Sequence, residues 1–446
     1  MDNINLNNVE NVNLNDIITC ILNDTSVLVT GGAGTGKSHL AKTLYETLKD
    51  NDMNVAITAT TGSAAFLING VTLHSFTGFR PNDENEDTAK IVKRIKYDRT
   101  TWKSWIKTDV LIIDEVSMLH SKMFEKLNEI GKILRRSDEP FGGLLLVAFA
   151  DFYQLPPVDK ENGKNNYIFL SPQFKEVFKD IIVLKEVYRQ TDQNDIQMLN
   201  QIREGICTPE IEAKLKSRTE IVPSENNPPT RLYSKIKKVN EYNEKMLNEL
   251  PERMHTFKAI DTIKVNLNDT KFNNQDEKNM QYTKSYEKLK KCLNDLPLID
   301  TLNLKRQAKV VLIYNLNVEI GLINGSIGTI VDYTNNGNPI VNFDGIGEIN
   351  IPQINYELEY KDLGIAIRSQ IPLILAFALS IHKSQGKTLS NVITSLSRNE
   401  IFTYGQAYVA ISRVRSLDTL YIEHFDKSVI KADPLVKEFY DSLNNK

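Results

Sequence analysis

The sequence predicts an α/β fold built on parallel sheets, and three stretches of the chain carry that prediction. Apolar runs end at a glycine-rich loop (27–38), at a pair of carboxylates (110–115) and at Asp151 (144–151). Runs that are apolar throughout are typical of parallel strands buried on both faces. Open α/β sheets bind their ligands at the carboxyl ends of such strands. We therefore expect these three strand ends to form one ligand site.

The composition is that of an ordinary globular chain with several domains. Its 446 residues suggest about three domains. Hydrophobic residues make up 41% and charged residues 25% of the chain, which is enough for a buried core. The formal net charge is −3 and the pI is about 6.2. Such a chain has no global field that attracts nucleic acid, so any DNA or RNA would bind in a local channel.

Cysteine spacing and hydropathy bear on the compartment. Cys20, Cys207 and Cys292 fit neither a metal-binding spacing nor a disulfide framework, which favours a reducing compartment. The sequence contains no run of 18 apolar residues that would span a membrane. The acidic, Asn-rich segment 1–16 is unlike a secretory or an Arg-rich transit peptide. We expect no membrane association and a location in a bacterial cytoplasm or at a viral replication site.

The glycine-rich loop GGAGTGKS (31–38) matches GxxxxGK[ST] at every fixed position. A strand at 26–30 and a helix at 38–49 flank it, as a phosphate-binding loop requires. Backbone N–H groups and the helix N-terminus favour phosphate, Lys37 would pair with the β- and γ-phosphates, and Ser38 would bind Mg²⁺. The nucleotide-binding candidates are Gly32, Gly34, Thr35, Gly36, Lys37 and Ser38. The alternative is a plain glycine-rich turn between strand and helix.

The other two strand ends supply the remaining chemistry. Asp114 would hold Mg²⁺ through water, while Glu115 would polarise the attacking water. The alternative is that this carboxylate pair only caps the next helix. Gln154 follows the third strand and would sense the γ-phosphate, and its alternative is a solvent-facing loop residue.

Further motifs follow in a fixed order along the chain. TATTGSAAFLINGVTLHSF (58–76), LIIDEVSML (111–119) and DFYQLPPV (151–158) lie in the first half. EVYRQ (186–190), GLINGSIGTI (321–330), AFALSIHKSQGKTL (376–389) and YVAISRVRS (408–416) lie in the second half. With the phosphate loop, they resemble the Pif family of DNA helicases, which belongs to the 5′-to-3′ branch of superfamily one with the RecD-like helicases. The segment 123–143 resembles the part that distinguishes this family from its RecD-like relatives.

The resemblance implies two RecA-like parallel-sheet domains with ATP in the cleft between them. It also implies a minor insertion in the first domain and a small SH3-like β-barrel inserted in the second. Arg189 and Arg413 match the family's arginine fingers, which reach the γ-phosphate from the second domain. The alternative for each arginine is a surface ion pair. Gln385 and Gly386 face the nucleotide in the family pattern.

DNA-binding candidates occur in both halves of the chain. After the first helix, polar groups would bind phosphates without reading sequence, and three rings would stack on bases. Phe76 is equally compatible with a core position, on a strand that also carries Val71 and Leu73. The candidates are Thr60, Thr61, Gly62, His74, Ser75, Phe76 and Phe79 in the first half, and His382, Lys383 and Ser384 in the second.

One departure from the family concerns the nucleotide base. The family uses a Gln upstream of the phosphate loop to bind adenine, and residues 1–30 contain no Gln. This puts strict adenine selectivity in doubt, although Asn13 or Asn15 could substitute.

The RecA-like domains divide the chain unevenly. We expect the first at 1–182, and the second at 183–261 and 369–446. The second would open with a strand at 180–185, and another strand at 373–379 would precede His382. The resemblance implies that the small insertion of the first domain, at 80–108, lies beside DNA. The alternative is a solvated helical pair with Trp102 and Trp105 packed on the core.

The insertion of the second domain would occupy 262–368. Its first part, 262–300, is either a phosphate-tracking arm of lysines and tyrosines or a solvated amphipathic helix. Short strands joined by Asn-Gly and Asp-Gly turns at 310–352 predict the SH3-like part.

The residues themselves predict an ATPase. The resemblance implies an ATP-dependent helicase that moves 5′ to 3′ on single-stranded DNA and opens duplex at single-strand–double-strand junctions. It would use ATP and Mg²⁺ and act as a monomer on DNA. A translocase that strips proteins from nucleic acid has the same chemistry and stays an alternative. A nucleotide-gated replication scaffold is a second alternative, which a complete hydrolytic set disfavours. Stacking and phosphate contacts suit RNA as well as DNA, so that choice stays open.

Overall fold

The computed structural model describes residues 12–80, 83–157, 166–223, 228–266, 275–294, 298–314, 316–317, 319–322, 326–343, 345–360 and 364–444. These residues form two compact units, Met1–Ile236 with Leu379–Lys446, and Lys237–Ala378. None of the described helices combines the length and the apolar character that crossing a bilayer requires.

The elements are numbered in chain order. The helices are α1 (Val12–Leu22), α2 (Lys37–Asp50), α3 (Gly62–Leu67), α4 (Leu73–Thr77), α5 (Thr88–Tyr97), α6 (Arg99–Lys107), α7 (Ser121–Arg135), α8 (Phe174–Val177), α9 (Gln193–Arg203), α10 (Pro209–Ser217), α11 (Ile236–Glu249), α12 (Gln275–Asn294), α13 (Ile381–Ser384), α14 (Gln406–Ile411) and α15 (Pro434–Asn444). The strands are β1 (Val27–Gly31), β2 (Val55–Ala59), β3 (Val71–Thr72), β4 (Val110–Asp114), β5 (Leu145–Ala150), β6 (Asp180–Leu184), β7 (Thr230–Tyr233), β8 (His255–Lys258), β9 (Ile260–Val265), β10 (Thr301–Leu304), β11 (Lys309–Leu312), β12 (Ile327–Tyr333), β13 (Pro339–Phe343), β14 (Gly347–Asn350), β15 (Ile354–Tyr360), β16 (Gly364–Gln370), β17 (Leu373–Leu375), β18 (Ala378–Ser380), β19 (Val392–Leu396) and β20 (Leu420–Phe425).

A parallel sheet in the first unit carries the phosphate loop. In the described residues its strand order is β3-β2-β4-β5-β1-β6, and its pairings are parallel. Every side chain of β1 and β4 is buried. Because β4, β5 and β1 are neighbours, the three strand ends that carry the loop, the carboxylate pair and Asp151 meet at one edge. The predicted α/β fold and the predicted meeting of these strand ends are confirmed.

Helices cover both faces of this sheet. On one face α1, α2 and α3 contribute apolar side chains such as Ile17 and Leu44 to a buried cluster. On the other face α4 to α8 contribute side chains such as Phe124 and Trp105. The sheet is therefore the middle of three layers, and its apolar strands are shielded on both sides as their sequences predict.

The small insertion at 80–108 contains a helical pair, α5 and α6. Asp87 and Asp98 cap these helices by accepting backbone N–H bonds. Trp105 is fully buried, and its indole N–H donates to the carbonyl of Thr77 at 3.0 Å. Trp102 is 37% exposed. The helical-pair interpretation therefore holds for Trp105, while Trp102 remains on the surface.

The predicted strand at 180–185 is present as β6, but its assignment to the second domain is wrong. It pairs in parallel with β1, from Val27 opposite Asp180 to Gly31 opposite Leu184. β5 pairs with the other side of β1. β6 is therefore an edge strand of the first sheet. The first sheet therefore extends beyond residue 182.

A second sheet lies in the same unit, with the order β18-β7-β19-β20. The pairings of β19 with β7 and with β20 are parallel. Helix α9 is tied to this part of the chain, because the Asp195 carboxylate accepts bonds from Leu417 N at 2.8 Å and from Ser416 Oγ at 3.1 Å. The predicted strand at 373–379 is in fact two strands, β17 in a sheet of the other unit and β18 in this one.

The C-terminal helix α15 corrects another predicted boundary. Val436 and Tyr440 are buried in the same cluster as Phe124 and Trp105, on one face of the first sheet. Residues 434–444 therefore pack on the first sheet, although the sequence placed them with the second. An amphipathic helix at a chain end buries its apolar side wherever a complementary surface lies, and sequence periodicity does not indicate where that is.

The second unit is largely β, as predicted for 310–352. In the described residues an antiparallel sheet has the order β14-β13-β12-β11-β17, and a smaller one has the order β15-β16-β9. Gly337, at φ +83°, occupies the predicted Asn-Gly turn between β12 and β13. Asp344 of the second predicted turn and residues 323–325 of GLINGSIGTI lie outside the described residues. Closure of these strands as an SH3-like barrel stays a prediction.

The segment 262–300 contains strand β9 and helix α12. Leu289 and Leu293 of the helix are buried against Ala366, with Ile263 of β9 packed beside them. This supports the amphipathic-helix interpretation, while the interpretation as a phosphate-tracking arm stays a prediction. The side chains of Lys288 and Lys291, which the arm interpretation included, lie outside the described residues.

Candidate active site

The phosphate loop has the strand–loop–helix geometry that its sequence predicts. Gly34 and Gly36 adopt φ values of +82° and +80°, which L side chains rarely adopt, and α2 begins directly afterwards at Lys37. The Lys37 ammonium is buried and donates 2.8 Å bonds to the carbonyls of Gly31 and Gly32. Its pKa is lowered by burial, an effect that nearby carboxylates oppose. The loop therefore holds a buried cation beside backbone N–H groups that precede a helix, which is a site for phosphate.

Two carboxylates face this loop from the end of β4. Ser38 Oγ donates to Asp114 Oδ2 at 2.6 Å, so the two predicted Mg²⁺ ligands lie side by side. Burial raises the pKa of Asp114, while the hydrogen bond from Ser38 lowers it. Burial, and then the charge of Asp114, raise the pKa of Glu115 to about 7. A carboxyl group with such a pKa can accept a proton near neutral pH.

Glu115 is held from two directions. Its backbone is in the left-handed region, at φ +54°, a strained conformation for a residue other than glycine. The hydroxyl of Thr60 donates to its carbonyl at 2.8 Å, and the amide of Gln385 donates to its carboxylate at 3.0 Å. Thr60 was predicted to bind DNA, yet its side chain, directly after the neighbouring strand β2, bonds the backbone of Glu115. Gln385 reaches Glu115 from the segment that follows β18, and its predicted contact with the nucleotide stays a prediction.

The two predicted arginine fingers approach the same site, Arg189 from the segment that follows β6 and Arg413 from the segment that follows α14. Arg189 donates to the carbonyl of Ser412 at 2.9 Å, and Arg413 is fully buried and donates to the carbonyl of Val409 at 2.7 Å. Burial, and then the charge of Arg189, lower the pKa of Arg413 to about 9. Among the described residues neither guanidinium forms an ion pair, so the surface ion-pair alternative is wrong for both. A buried cation and a half-buried one at the same site, neither with a counter-ion among the described residues, favour an anionic ligand.

These groups surround one cavity of about 290 Å³. Of the predicted site residues, those that line it are Gly34, Thr35, Gly36, Lys37, Ser38, Glu115, Gln154, Arg189, Gly386 and Arg413. Within the described residues, the side-chain oxygens of Gln154 and Gln385 are buried without a hydrogen-bond partner. A buried acceptor without a donor is costly. These oxygens therefore fit a site that takes up a hydrated, phosphate-bearing ligand.

A match to a solved structure decides the family. A crystal structure of Pif1 helicase from Candida albicans superposes with a TM-score of 0.83 and 33% identity, and the match covers 98% of this chain and 99% of that one. A model of PIF1-like helicases matches residues 5–212, and a model of the Pif1 2B domain matches residues 294–333. This chain belongs to the PIF1-like helicase family. Its two parallel sheets are therefore two RecA-like domains.

Other members of the PIF1-like family cover nearly the same residues. ATP-dependent DNA helicase PIF1 of Xenopus laevis and that of Homo sapiens are each 35% identical to 94% of this chain. The chain spans 62% and 61% of their respective lengths. A structure of Bacteroides Pif1 in complex with ADP-AlF3 and ssDNA superposes with a TM-score of 0.68 and 26% identity, covering 98% of both chains.

The prediction that the rings of Phe76 and Phe79 stack on DNA bases is wrong for this PIF1-like chain. Phe76 and Phe79 are only 7% and 3% exposed and belong to the core cluster beneath α5 to α7, where Phe76 contacts the ring of Trp105. The expected strand through Val71 and Leu73 ends at Thr72, and residues 73–77 form helix α4. Helical rather than extended geometry turns these rings into the core, so they are not available to stack on bases.

The remaining DNA-binding candidates differ in exposure. Gly62 and Ser75 are exposed, while Thr61 accepts the N–H of Ala64 at the start of α3. His74 is half-buried, and burial lowers its pKa.

The DNA-binding candidates of the second domain also differ in how exposed their side chains are. Lys383 is exposed, and His382 is half-buried with a pKa lowered by burial. Ser384 is fully buried and donates to the carbonyl of Ile381 at 2.7 Å, so its side chain is not exposed for a contact with DNA.

The sequence argument missed three residues of the nucleotide cavity. Ala33, His39 and Tyr188 line it, and Tyr188 is 66% exposed with its ring beside Gly36. An aromatic residue directly before a predicted arginine finger, in EVYRQ, is the signal that could have identified Tyr188. Neither Asn13 nor Asn15, the proposed substitutes for the adenine-binding Gln, is among the described residues that line the cavity.

Proposed function

We propose that this chain is an ATP-dependent DNA helicase that moves 5′ to 3′ along single strands and opens duplex at junctions. One observation carries the proposal: Lys37 and Glu115 of the first domain share a single cavity with Arg413 of the second and with Arg189 of the connection between the two. In such a cleft, hydrolysis depends on the closed arrangement of the two domains. Chemistry is thereby linked to domain movement, which is what translocation requires.

Each residue around the cavity has a role in this proposal. The loop and Lys37 bind the β- and γ-phosphates of ATP, while Ser38 and Asp114 hold Mg²⁺, which would neutralise charge on the phosphate oxygens. No group of three or more acidic, His or Cys side chains in the described residues forms a metal site by itself. The ion would therefore bind together with the nucleotide.

The transfer step uses the remaining groups. Glu115 accepts the proton of the attacking water, and Gln154 contacts that water or the γ-phosphate. Arg189 and Arg413 stabilise the charge that develops on the transferred phosphoryl group. Retention of all these groups favours an enzyme over a nucleotide-gated scaffold.

DNA is the proposed track. One solved relative is Bacteroides Pif1 bound to ssDNA. Another structure describes the basis for DNA unwinding at forked dsDNA by two coordinating Pif1 helicases. In this chain, exposed Gly62, Ser75 and Lys383 are the candidates for phosphate contacts. We propose that one copy acts on a strand.

Strand separation on two partial duplexes tests the function, one with a 5′ single-stranded tail and one with a 3′ tail. We expect ATP-dependent unwinding of the 5′-tailed duplex alone, and none with Lys37→Ala. Unwinding from the 3′ tail would contradict the proposed direction. If single strands stimulate hydrolysis but neither duplex opens, the chain is a translocase.

A further inference from the structure

Asp151 lies at the end of β5, where it meets groups from both domains. It is fully buried. Gln154 Nε2 donates to its Oδ2 at 3.1 Å from within the first domain. Arg203, on α9 of the second domain, donates to Oδ1 through Nε at 3.0 Å and through Nη2 at 2.9 Å. A carboxylate in the first domain therefore has its counter-ion in the second.

Arg203 is held in a fixed plane by aromatic rings. Its guanidinium lies 4.6 Å from the ring centre of Tyr153 and 5.0 Å from that of Tyr440, and those two rings stack at 4.8 Å. Tyr440 is itself fixed, because its hydroxyl lies 2.6 Å from Thr30 Oγ1 and accepts the N–H of Phe152 at 3.3 Å. A planar cation stacked on rings is pre-organised for two bonds to one carboxylate.

The same region touches the phosphate loop. The hydroxyl of Tyr408, on α14, accepts the N–H of Ala33 at 2.6 Å and lies 3.5 Å from Asp151 Oδ2. Burial, and then the charge of Asp151, raise the pKa of Tyr408, so this hydroxyl keeps its proton. Tyr408 can therefore accept from the loop and donate to Asp151 at once. When the second domain is seated on the first, the Tyr408 hydroxyl therefore contacts the phosphate loop and Asp151 at the same time.

The carboxylate of Asp151 determines how the side-chain amide of Gln154 is oriented. An ionised carboxylate only accepts hydrogen bonds, so Asp151 must face the NH₂ end of the Gln154 amide. The carbonyl oxygen of that amide is then the end left without a partner among the described residues, in a side chain that lines the cavity. An acceptor placed there suits the O–H of an attacking water better than a phosphate oxygen, which is also an acceptor.

We propose that Asp151 and Arg203 form a positioning pair, which turns the Gln154 carbonyl toward the attacking water when the second domain is seated on the first. The inference rests on the proposed ATPase function and deepens it. Opening of the cleft separates Arg203 from Asp151 and hydrates the carboxylate, which releases Gln154. The pair makes hydrolysis depend on closure without touching the nucleotide.

The test compares the unmodified chain with Arg203→Gln and Asp151→Asn. Arg231→Gln is a matched control, because Arg231 pairs with Glu423 between strands of the second sheet. ATPase kcat and KM are measured with single-stranded DNA. Affinity is measured for fluorescent methylanthraniloyl-ADP with Mg²⁺, alone and with aluminium fluoride. If Arg203→Gln does not fold, the isosteric Asp151→Asn variant decides.

We expect kcat to fall by about 10- to 100-fold with KM nearly unchanged, as for a misplaced catalytic group. ADP affinity should be retained, and the tighter binding with aluminium fluoride should be lost. A merely structural role would weaken both nucleotide states equally, and that outcome, or an unchanged kcat, overturns the inference. If the unmodified chain hydrolyses no ATP, it is the proposed function that fails.

Discussion

The side-chain amide of Gln385 donates a 3.0 Å hydrogen bond to the carboxylate of Glu115. Gln385 follows β18 of the second sheet, whereas Glu115 directly follows β4 of the first. The group proposed as the base of hydrolysis is therefore completed by a residue of the other domain. Four of the five predictions below concern this cavity, and the last concerns the surface predicted to bind DNA.

Replacement of the proposed base should separate binding from hydrolysis. Glu115→Gln keeps the size of the side chain but cannot accept a proton. We expect kcat to fall by about 10²- to 10⁴-fold, with ATP affinity retained. Glu46→Gln, at an exposed position on α2, serves as the control and should leave kcat unchanged. Retention of a tenth or more of the activity in Glu115→Gln would argue for another base.

The pH dependence of the ATPase should report the same carboxyl group. Because the pKa of Glu115 is raised to about 7, the group is protonated and inactive as a base below that pH. We expect kcat/KM for ATP to decline as pH falls through about 7. The bond from Gln385 lowers this pKa, so Gln385→Ala should move the decline to higher pH. A profile that stays flat down to pH 5 would contradict this assignment.

Gly34 should be intolerant of any side chain. A Cβ there would lie 2.6 Å from Cβ of Arg189, in addition to the cost of φ +82°. Gly143 has a similar φ of +78° and open space around its Cβ position, so Gly143→Ala isolates the backbone cost of about 1–2 kcal/mol. We expect both variants to lower the Tm, and only Gly34→Ala to abolish nucleotide binding by calorimetry. Normal binding by Gly34→Ala would show that Arg189 moves aside freely.

Tyr188 should contribute to nucleotide affinity through its ring. The ring is exposed beside Gly36 at the cavity, where it can stack on a base. Tyr188→Ala should raise KM for ATP by about 5- to 50-fold, whereas Tyr188→Phe should leave it near the original value. Steady-state kinetics with ATP and GTP checks both variants. Equal KM values for Ala and Phe would exclude a role for the ring.

Phe79 should matter for stability and not for DNA. Its burial in the core predicts that Phe79→Leu lowers the free energy of unfolding by about 1 kcal/mol. The Kd for a single-stranded oligonucleotide should not change, as measured by fluorescence anisotropy. Lys383→Ala, at an exposed position, is the comparison and should weaken binding with a reduced salt dependence. A large loss of DNA affinity in Phe79→Leu would restore the stacking interpretation.

Local chemistry determined much of this protein from its sequence. Apolar runs that end in polar residues predicted the parallel sheet, because such runs are stable only when both faces are covered. The loop 31–38 predicted its own conformation, since the glycine positions permit the positive φ values that the turn requires. Glu115 was predicted from the end of an apolar strand, and Arg189 and Arg413 from the family resemblance, and the structure brings all three to one cavity.

Only the tertiary structure decided where surfaces meet. β6 joins the first sheet as an edge strand, and α15 packs on one face of that sheet. Phe76 and Phe79 turn into the core on the same face. Helices and edge strands bury apolar surface wherever a partner surface lies. The bonds of Asp151 to Arg203 and of Glu115 to Gln385 join residues 52 and 270 positions apart. Sequence patterns report the period of an element and the chemistry of a short motif. Contacts between distant segments depend on how all the elements pack together, and no local pattern encodes them.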